Sequence, residues 1–330
     1  MNYQSSEFLP VVIVLHGLGD TGQGMSQAGF NQIADTARYI AIYPDGKTNS
    51  FGQTGWNNGT LLSTTSNDVG FMNQLIDSMI LNHNANPSRI YVTGFSMGSI
   101  MSHYLAACEL NSRIAAIAGM SGTAATSVIS NCVPVYKTPV MHLHGTADGT
   151  VPYGANPLPS LSLVPETMNF WRNVHGCTTT TDSTRIFDAV PGDNITIDRF
   201  VYNSCTTNNA LELWRLNGAD HVFLYPPVND ILESAEVWRF FLRFQHTNPA
   251  TAGIEALADL KRIYPNPAKE VLTIESSKPM QAVIYDSFGK KHGEMNLNTG
   301  ENQIHVGNLT NGMYFIKTQG SNQAYRFTIE

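Results

Sequence analysis

The sequence predicts an α/β fold, a doubly wound and mostly parallel sheet, followed by a small all-β sandwich. Two observations predict the first part. Apolar, β-branched runs alternate with helical stretches from the start of the chain to about Gln245, the pattern of successive βαβ units. One of those runs ends in Gly94-Phe95-Ser96-Met97-Gly98, directly before a helical stretch. A third observation predicts the second part. After Gln245 the helical spacing stops, and short alternating runs separated by turn residues take over.

Leu9–Leu15 (LPVVIVL) is continuously apolar, as a strand covered on both faces requires. It ends in His16-Gly17-Leu18-Gly19-Asp20. Ala28–Ala37 reads as a helix and Tyr39–Tyr43 as the next strand. A Gly/Asn-rich loop carrying Trp56 follows. Asn67 or Asp68 caps a helix whose apolar face runs through Phe71, Leu75, Ile76 and Met79. Arg89–Phe95 is the strand before Ser96, and Ile100–Leu110 the helix after it. Ile114–Ala118 and Val140–Leu143 read as strands, Pro165–Val174 as a helix, Ala210–Leu216 as a strand and Ile231–Phe244 as a helix. His246–Ala252 (HTNPATA) has linker composition. The sandwich strands are Val271–Ile274, Ala282–Tyr285, Gln303–Val306, Met313–Lys317 and Tyr325–Ile329. The expected domains are therefore 1–247 and 259–330, joined by a linker at 248–258.

Charged residues are only 14% of the chain and the net charge is −7, which turns it away from nucleic acid and anionic membrane. No apolar run reaches the length of a membrane span. None of the four cysteines forms a C-x-x-C, so no metal site is expected, and no cofactor. Cys108 with Cys132 and Cys177 with Cys205 each close a loop of about two dozen residues. That fits two disulfides and an oxidising compartment, four buried free thiols being the alternative. The chain is expected to act as a monomer.

A serine hydroxyl is a poor nucleophile unless a base takes its proton. The strand, sharp turn and helix around Ser96 form the nucleophile elbow, in which a strained turn lifts the hydroxyl above the sheet. The acid and the histidine should follow in that order, each on a loop after a strand. Pro139–His144 is such a strand, and Gly145-Thr146-Ala147-Asp148 its loop, so Asp148 is the expected acid. Asp45 also ends a strand but precedes the serine. Of ten histidines, His142 and His144 lie within a strand, His103 on the elbow helix and His175 after a helix. His221, in Gly218-Ala219-Asp220-His221, has both the order and the loop. The oxyanion donors should be the backbone N–H groups of Met97 and Leu18. Gly17 and Trp56 are candidate substrate contacts, whereas the helical setting of Trp171 favours the core.

As a set, His16–Thr21, Tyr43–Gly46, Gly55–Asn57, Asn67–Phe71, Arg89–Gly98, His144–Asp148 and Gly218–His221 resemble the polyhydroxybutyrate depolymerase/feruloyl esterase (LpqC-like) family of α/β hydrolases. The resemblance spans about residues 8–245 and supports the cysteine pairing. It implies a secreted serine esterase acting on carboxylic esters, either feruloyl and acetyl groups on plant polysaccharide or short polyesters. A polyhydroxyalkanoate or aromatic polyester depolymerase is the nearest alternative. A serine peptidase or a non-catalytic surface binding protein are alternatives of other classes. Ser99 stands where the family often has glycine, which implies looser packing of the elbow helix. The family has a strand hairpin before its first central strand, and Met1–Phe8 are too few for it. A hairpin and a signal peptide are therefore expected upstream. Ile263–Pro267, Val283–Gly289 and Leu309–Ile316 resemble the C-terminal sorting domain of the type IX secretion system of Bacteroidetes. That resemblance implies the type IX machinery as a partner and a secreted or cell-surface location. A carbohydrate-binding sandwich is the alternative for this module.

Overall fold

Strand β1 (Leu9–Leu15) is buried at every position. Successive side chains of a strand point to opposite faces, and here the two faces enter two separate cores. Val11, Ile13 and Leu15 enter one, Val12 and Val14 the other. The computed structural model describes residues 7–178, 181–206, 211–249, 260–276, 278–286, 289–318 and 324–330. Its contacts divide the chain into two units, Met1–Ala250 and Thr251–Glu330. The expected linker 248–258 lies outside the described residues from 250 onward.

In the first unit, β1 is followed by α1 (Gly22–Met25), α2 (Phe30–Ala37), β2 (Ile40–Ile42) and a ribbon of β3 (Lys47–Thr48) with β4 (Thr54–Gly55). Then come α3 (Asp68–His83), β5 (Ala85–Phe95) and α4 (Met97–Tyr104), which runs into a π-helical turn at Leu105–Glu109. β6 (Ala116–Met120), α5 (Thr126–Asn131), β7 (Val140–Gly145) and α6 (Val164–His175) follow. The unit closes with β8 (Thr181–Arg185), β9 (Thr196–Tyr202), β10 (Leu211–Asn217) and α7 (Glu233–Phe241).

The sheet order is β2-β1-β5-β6-β7-β10-β9-β8. The pairs from β2 to β10 are parallel, and β9 and β8 add an antiparallel arm. Residues of α3, α4 and α6, among them Met72, Met101 and Trp171, fill one core, and residues of α2 and α7, among them Phe30 and Trp238, fill the other. This is the two-faced, mostly parallel sheet that the alternating pattern predicts. The arm was not expected. Thr181–Arg185 (TDSTR) is polar throughout, and Asp198 on β9 takes Arg185 and Arg215 as ion-pair partners. Charge pairing on one face hides the alternation by which a strand is recognised.

The second unit holds β11 (Leu260–Tyr264), β12 (Val271–Ser276), β13 (Met280–Asp286), β14 (Lys291–Leu297), β15 (Gly300–His305), β16 (Gly312–Thr318) and β17 (Ala324–Ile329). Three strands, β11-β12-β15, face four, β14-β13-β16-β17. Leu272 and Ile274 of one sheet share a core with Ile284, Ile316 and Phe327 of the other. Five of these strands were expected. β11 and β14 escaped because Lys, Arg, Glu and Gly interrupt their apolar positions.

Candidate active site

β5 ends at Phe95 and α4 begins at Met97, so one residue makes the whole turn. Ser96 takes φ 54°, ψ −117°, which L-residues rarely adopt. Glycines make the turn possible. A Cβ on Gly98 would lie 2.1 Å from the Leu15 carbonyl oxygen, and one on Gly94 2.5 Å from the Gly98 backbone. Both obstacles are main chain and cannot swing aside. Ser99 does not loosen the helix. It is buried, and its hydroxyl donates to the Gly122 carbonyl at 2.5 Å.

Met97 is the first residue of α4, where backbone N–H groups have no partner within the helix. Gly17 closes the other side, where an added Cβ would sit 3.5 Å from Ser96 Cβ. The loop holding Gly17 and Leu18 is pinned by its neighbours. His16 is buried, and its Nε2 accepts from Gly46 N at 2.9 Å, which leaves Nδ1–H to donate to Gly17 O at 2.7 Å. Gly19 N donates to Thr54 O at 2.8 Å.

Trp56 differs from the expected substrate platform. Its ring is fully buried, lies against the His16 ring and donates its indole N–H to His16 O at 2.9 Å. It supports the loop from behind. The polar composition of its own loop gave no sign of that burial. Trp171 is buried in the core, as its helical setting indicates.

Asp148 and His221 meet. Their side chains are joined by a 2.8 Å hydrogen bond from His221 Nδ1 to Asp148 Oδ2. The other carboxylate oxygen accepts from Thr150 N at 2.9 Å and Val151 N at 2.7 Å. Burial by itself raises the Asp148 pKa. Hydrogen bonds from His144, His221 and Val151 outweigh it and hold the carboxyl well below the usual range. The imidazole of His221 lies 4.8 Å, centroid to centroid, from the ring of Phe95, the residue before Ser96. Among the described residues no hydrogen bond joins Ser96 to His221.

Backbone bonds lash the acid loop to the histidine loop. Thr146 N donates to Leu216 O and Ala147 N to Ala219 O, each at 3.0 Å. The Thr146 hydroxyl accepts from Gly218 N at 2.9 Å. Asp220 bridges the two loops, its Oδ1 taking Gly149 N at 2.9 Å and His221 N at 2.7 Å. Sequence reasoning passed over Asp220, although its place beside the histidine was the available signal. Both expected disulfides are present, Cys108–Cys132 and Cys177–Cys205. Among the described residues no cluster could hold a metal ion, and no helix is long and apolar enough to cross a membrane.

Residues 4–163 match the family described as Phospholipase/Carboxylesterase, and residues 262–329 the Secretion system C-terminal sorting domain. Poly(3-hydroxyalkanoate) depolymerase C of Paucimonas lemoignei is 28% identical over 64% of this chain and 54% of its own. Feruloyl esterase B of Piromyces equi is 29% identical over 64% of this chain and 39% of its own. The chain thus spans about half or less of the length of these relatives. Among solved structures, acetyl xylan esterase from Aspergillus awamori is similar with a TM-score of 0.54 and 18% identity, over 73% of this chain and 90% of that one. That likeness shows the α/β-hydrolase fold.

Proposed function

We propose that the protein is an exported serine esterase, a reading supported by the match of residues 4–163 to the phospholipase/carboxylesterase family and of residues 262–329 to the secretion-system sorting domain. Ser96 is the nucleophile, His221 the base and Asp148 the residue that orients it. The observation that carries this reading is the Asp148–His221 hydrogen bond, set beside the strained turn that presents Ser96. His221 turns on its loop to take the Ser96 proton, since catalytic hydrogen bonds often tighten only once substrate is bound. Ser96 Oγ attacks the ester carbonyl. The N–H groups of Met97 and Leu18 receive the oxyanion, each worth about 3–4 kcal/mol. The imidazolium then gives its proton to the leaving alcohol. Water, deprotonated by His221, frees the acid and restores Ser96.

The substrate class is carboxylic esters of plant polysaccharide, feruloyl or acetyl, with short polyesters as the second reading. The likeness to feruloyl esterase B and to poly(3-hydroxyalkanoate) depolymerase C supports these two readings. The sorting domain delivers the enzyme through the type IX machinery to the cell surface or the medium, where such polymers are found. The two domains are 1–247 and 259–330, joined by the linker 248–258, and the enzyme acts as a monomer.

A fluorophosphonate should label the wild type and not Ser96→Ala, and p-nitrophenyl acetate hydrolysis should vanish with the same substitution. Failure of the wild type to label would overturn the enzyme reading. Cleavage of peptide amides as fast as esters would favour a peptidase. Rates on methyl ferulate, acetylated xylan and polyhydroxybutyrate film divide the ester classes.

A further inference from the structure

A second set of side chains reaches Asp148 from the protein interior. His142 and His144 alternate onto one face of β7, and both are fully buried, as are His103 on α4 and Trp171 on α6. The Trp171 indole N–H donates to His103 Nδ1 at 3.0 Å. His103 Nε2 lies 3.3 Å from His142 Nδ1, and His142 Nε2 3.1 Å from His144 Nδ1. His144 Nε2 lies 2.8 Å from Val151 O and 3.3 Å from Asp148 Oδ2. Gly119 of β6 leaves room for these rings. A Cβ there would stand 2.9 Å from His103 Nε2.

Proton counting gives the chain a direction. An indole N–H can only donate. His103 must therefore accept at Nδ1 and carry its one proton on Nε2, which is donated to His142 Nδ1. The same step repeats through His142 to His144, whose Nε2–H ends the chain as a donor. Reversing the His142–His144 bond would make His142 accept at Nε2 and carry its proton on Nδ1, facing His103. His103, already accepting from Trp171, would then have to accept there too and would hold no proton. Burial, with His144 as the second cause, takes His103 down to about 3 and His142 well below the ordinary imidazole range.

We propose that Trp171, His103, His142 and His144 form a positioning relay for Asp148, in which the indole sets three imidazoles as Nε2–H tautomers and the last, hydrogen-bonded to Val151 O, holds its Nε2–H 3.3 Å from the carboxylate oxygen that also holds His221. The proposal rests on the reading of Asp148 and His221 as acid and base. None of the four side chains touches substrate. Their effect is to keep the buried carboxylate in one rotamer, with Oδ2 aimed at His221 Nδ1. A chain of this kind is stiffer than its separate bonds, because each donor polarises the next.

The test uses the full chain labelled with ¹⁵N-histidine, followed by NMR from about pH 5.5 to 8. His103, His142 and His144 should all carry their proton on Nε2. A proton on Nδ1 of any of them in the wild type overturns the relay. Trp171→Phe keeps most of the packing and removes the fixed donor, so a second tautomer should appear. An unchanged spectrum would refute the role of the indole. In kinetics, His144→Gln places an amide N–H near the lost Nε2–H, and His144→Leu does not. His144→Leu should lower kcat by about 10- to 100-fold with KM within about twofold, the value of a hydrogen bond to a charged group. His144→Gln should recover most of that. Equal losses in both variants, each with a native melting profile, would sink the relay. If Ser96→Ala kept esterase activity, the proposed function would fall while the tautomer result stood on its own.

Discussion

Asp148→Asn exposes the site's logic most sharply. The Asp148 side chain is fully buried and accepts on both oxygens, from two backbone N–H groups on Oδ1 and from His221 Nδ1 on Oδ2, with His144 Nε2 3.3 Å from the same Oδ2. An amide offers one acceptor oxygen and one donor nitrogen. The Thr150 and Val151 N–H groups require the oxygen on their side, so the NH₂ must face the imidazoles. His221 Nδ1 then has to accept, and its proton moves to Nε2, the nitrogen that should take the Ser96 proton. A wrong tautomer of this kind costs about 10⁴ in kcat, or roughly 5.5 kcal/mol. KM should barely move, because the side chain does not meet the substrate.

Stability gives a second reading of the same variant. Hydrogen bonds from His144, His221 and Val151 outweigh burial and lower the folded pKa of Asp148 below its ordinary value of 3.8. The charge therefore stabilises the fold above that value, and the contribution is lost as pH falls through the lower folded pKa. The melting deficit of Asp148→Asn should be largest near neutrality and shrink below about pH 4. Steady-state hydrolysis of p-nitrophenyl acetate and thermal melts across pH measure both effects. A kcat within about tenfold of wild type, or a deficit independent of pH, would refute this account.

Two further outcomes are expected. Glu233 opens α7, is buried, and accepts from Leu224 N at 3.2 Å, three residues past His221. Burial raises it from 4.5 to about 8, so its contribution to folding is fullest below the lower value and is lost as pH rises toward the upper one. Glu233→Gln should melt higher relative to wild type at about pH 8 than at pH 5, by up to a few kcal/mol, and a constant difference would contradict the burial argument. Removing Cys108–Cys132, which closes a separation of 24 residues, should cost about 3 kcal/mol, or roughly 6–12 °C in Tm. An unchanged Tm after confirmed release of both thiols would show that the crosslink carries no stability.

Much of the fold was legible because its signals are local. A strand that is buried on both faces must be apolar along its length, as LPVVIVL is. A one-residue turn between strand and helix must have glycines where backbones cross, as at Gly94 and Gly98. The chain order of Ser96, Asp148 and His221 was legible for the same reason, since each sits on a loop after a strand. Trp56 was misread because the composition of a loop says nothing about which of its side chains turn inward. Asp220 was missed because its partners lie one residue and 71 residues away. The β8–β9 arm was hidden because ion pairs across strands satisfy charges that look like loop residues in a single sequence.

Residue type and short spacing dictate the alternation of elements, the elbow, the ordered set of candidate catalytic residues and the β-rich tail. Long-range contacts add the rest: the Asp148 and His221 loops are lashed together, Trp56 braces the loop of Gly17 and Leu18, and three histidines from α4 and β7 line up behind one carboxylate. Hydrogen bonds act over about 3 Å of space whatever the separation along the chain, so folding alone reveals which donors and acceptors come within reach.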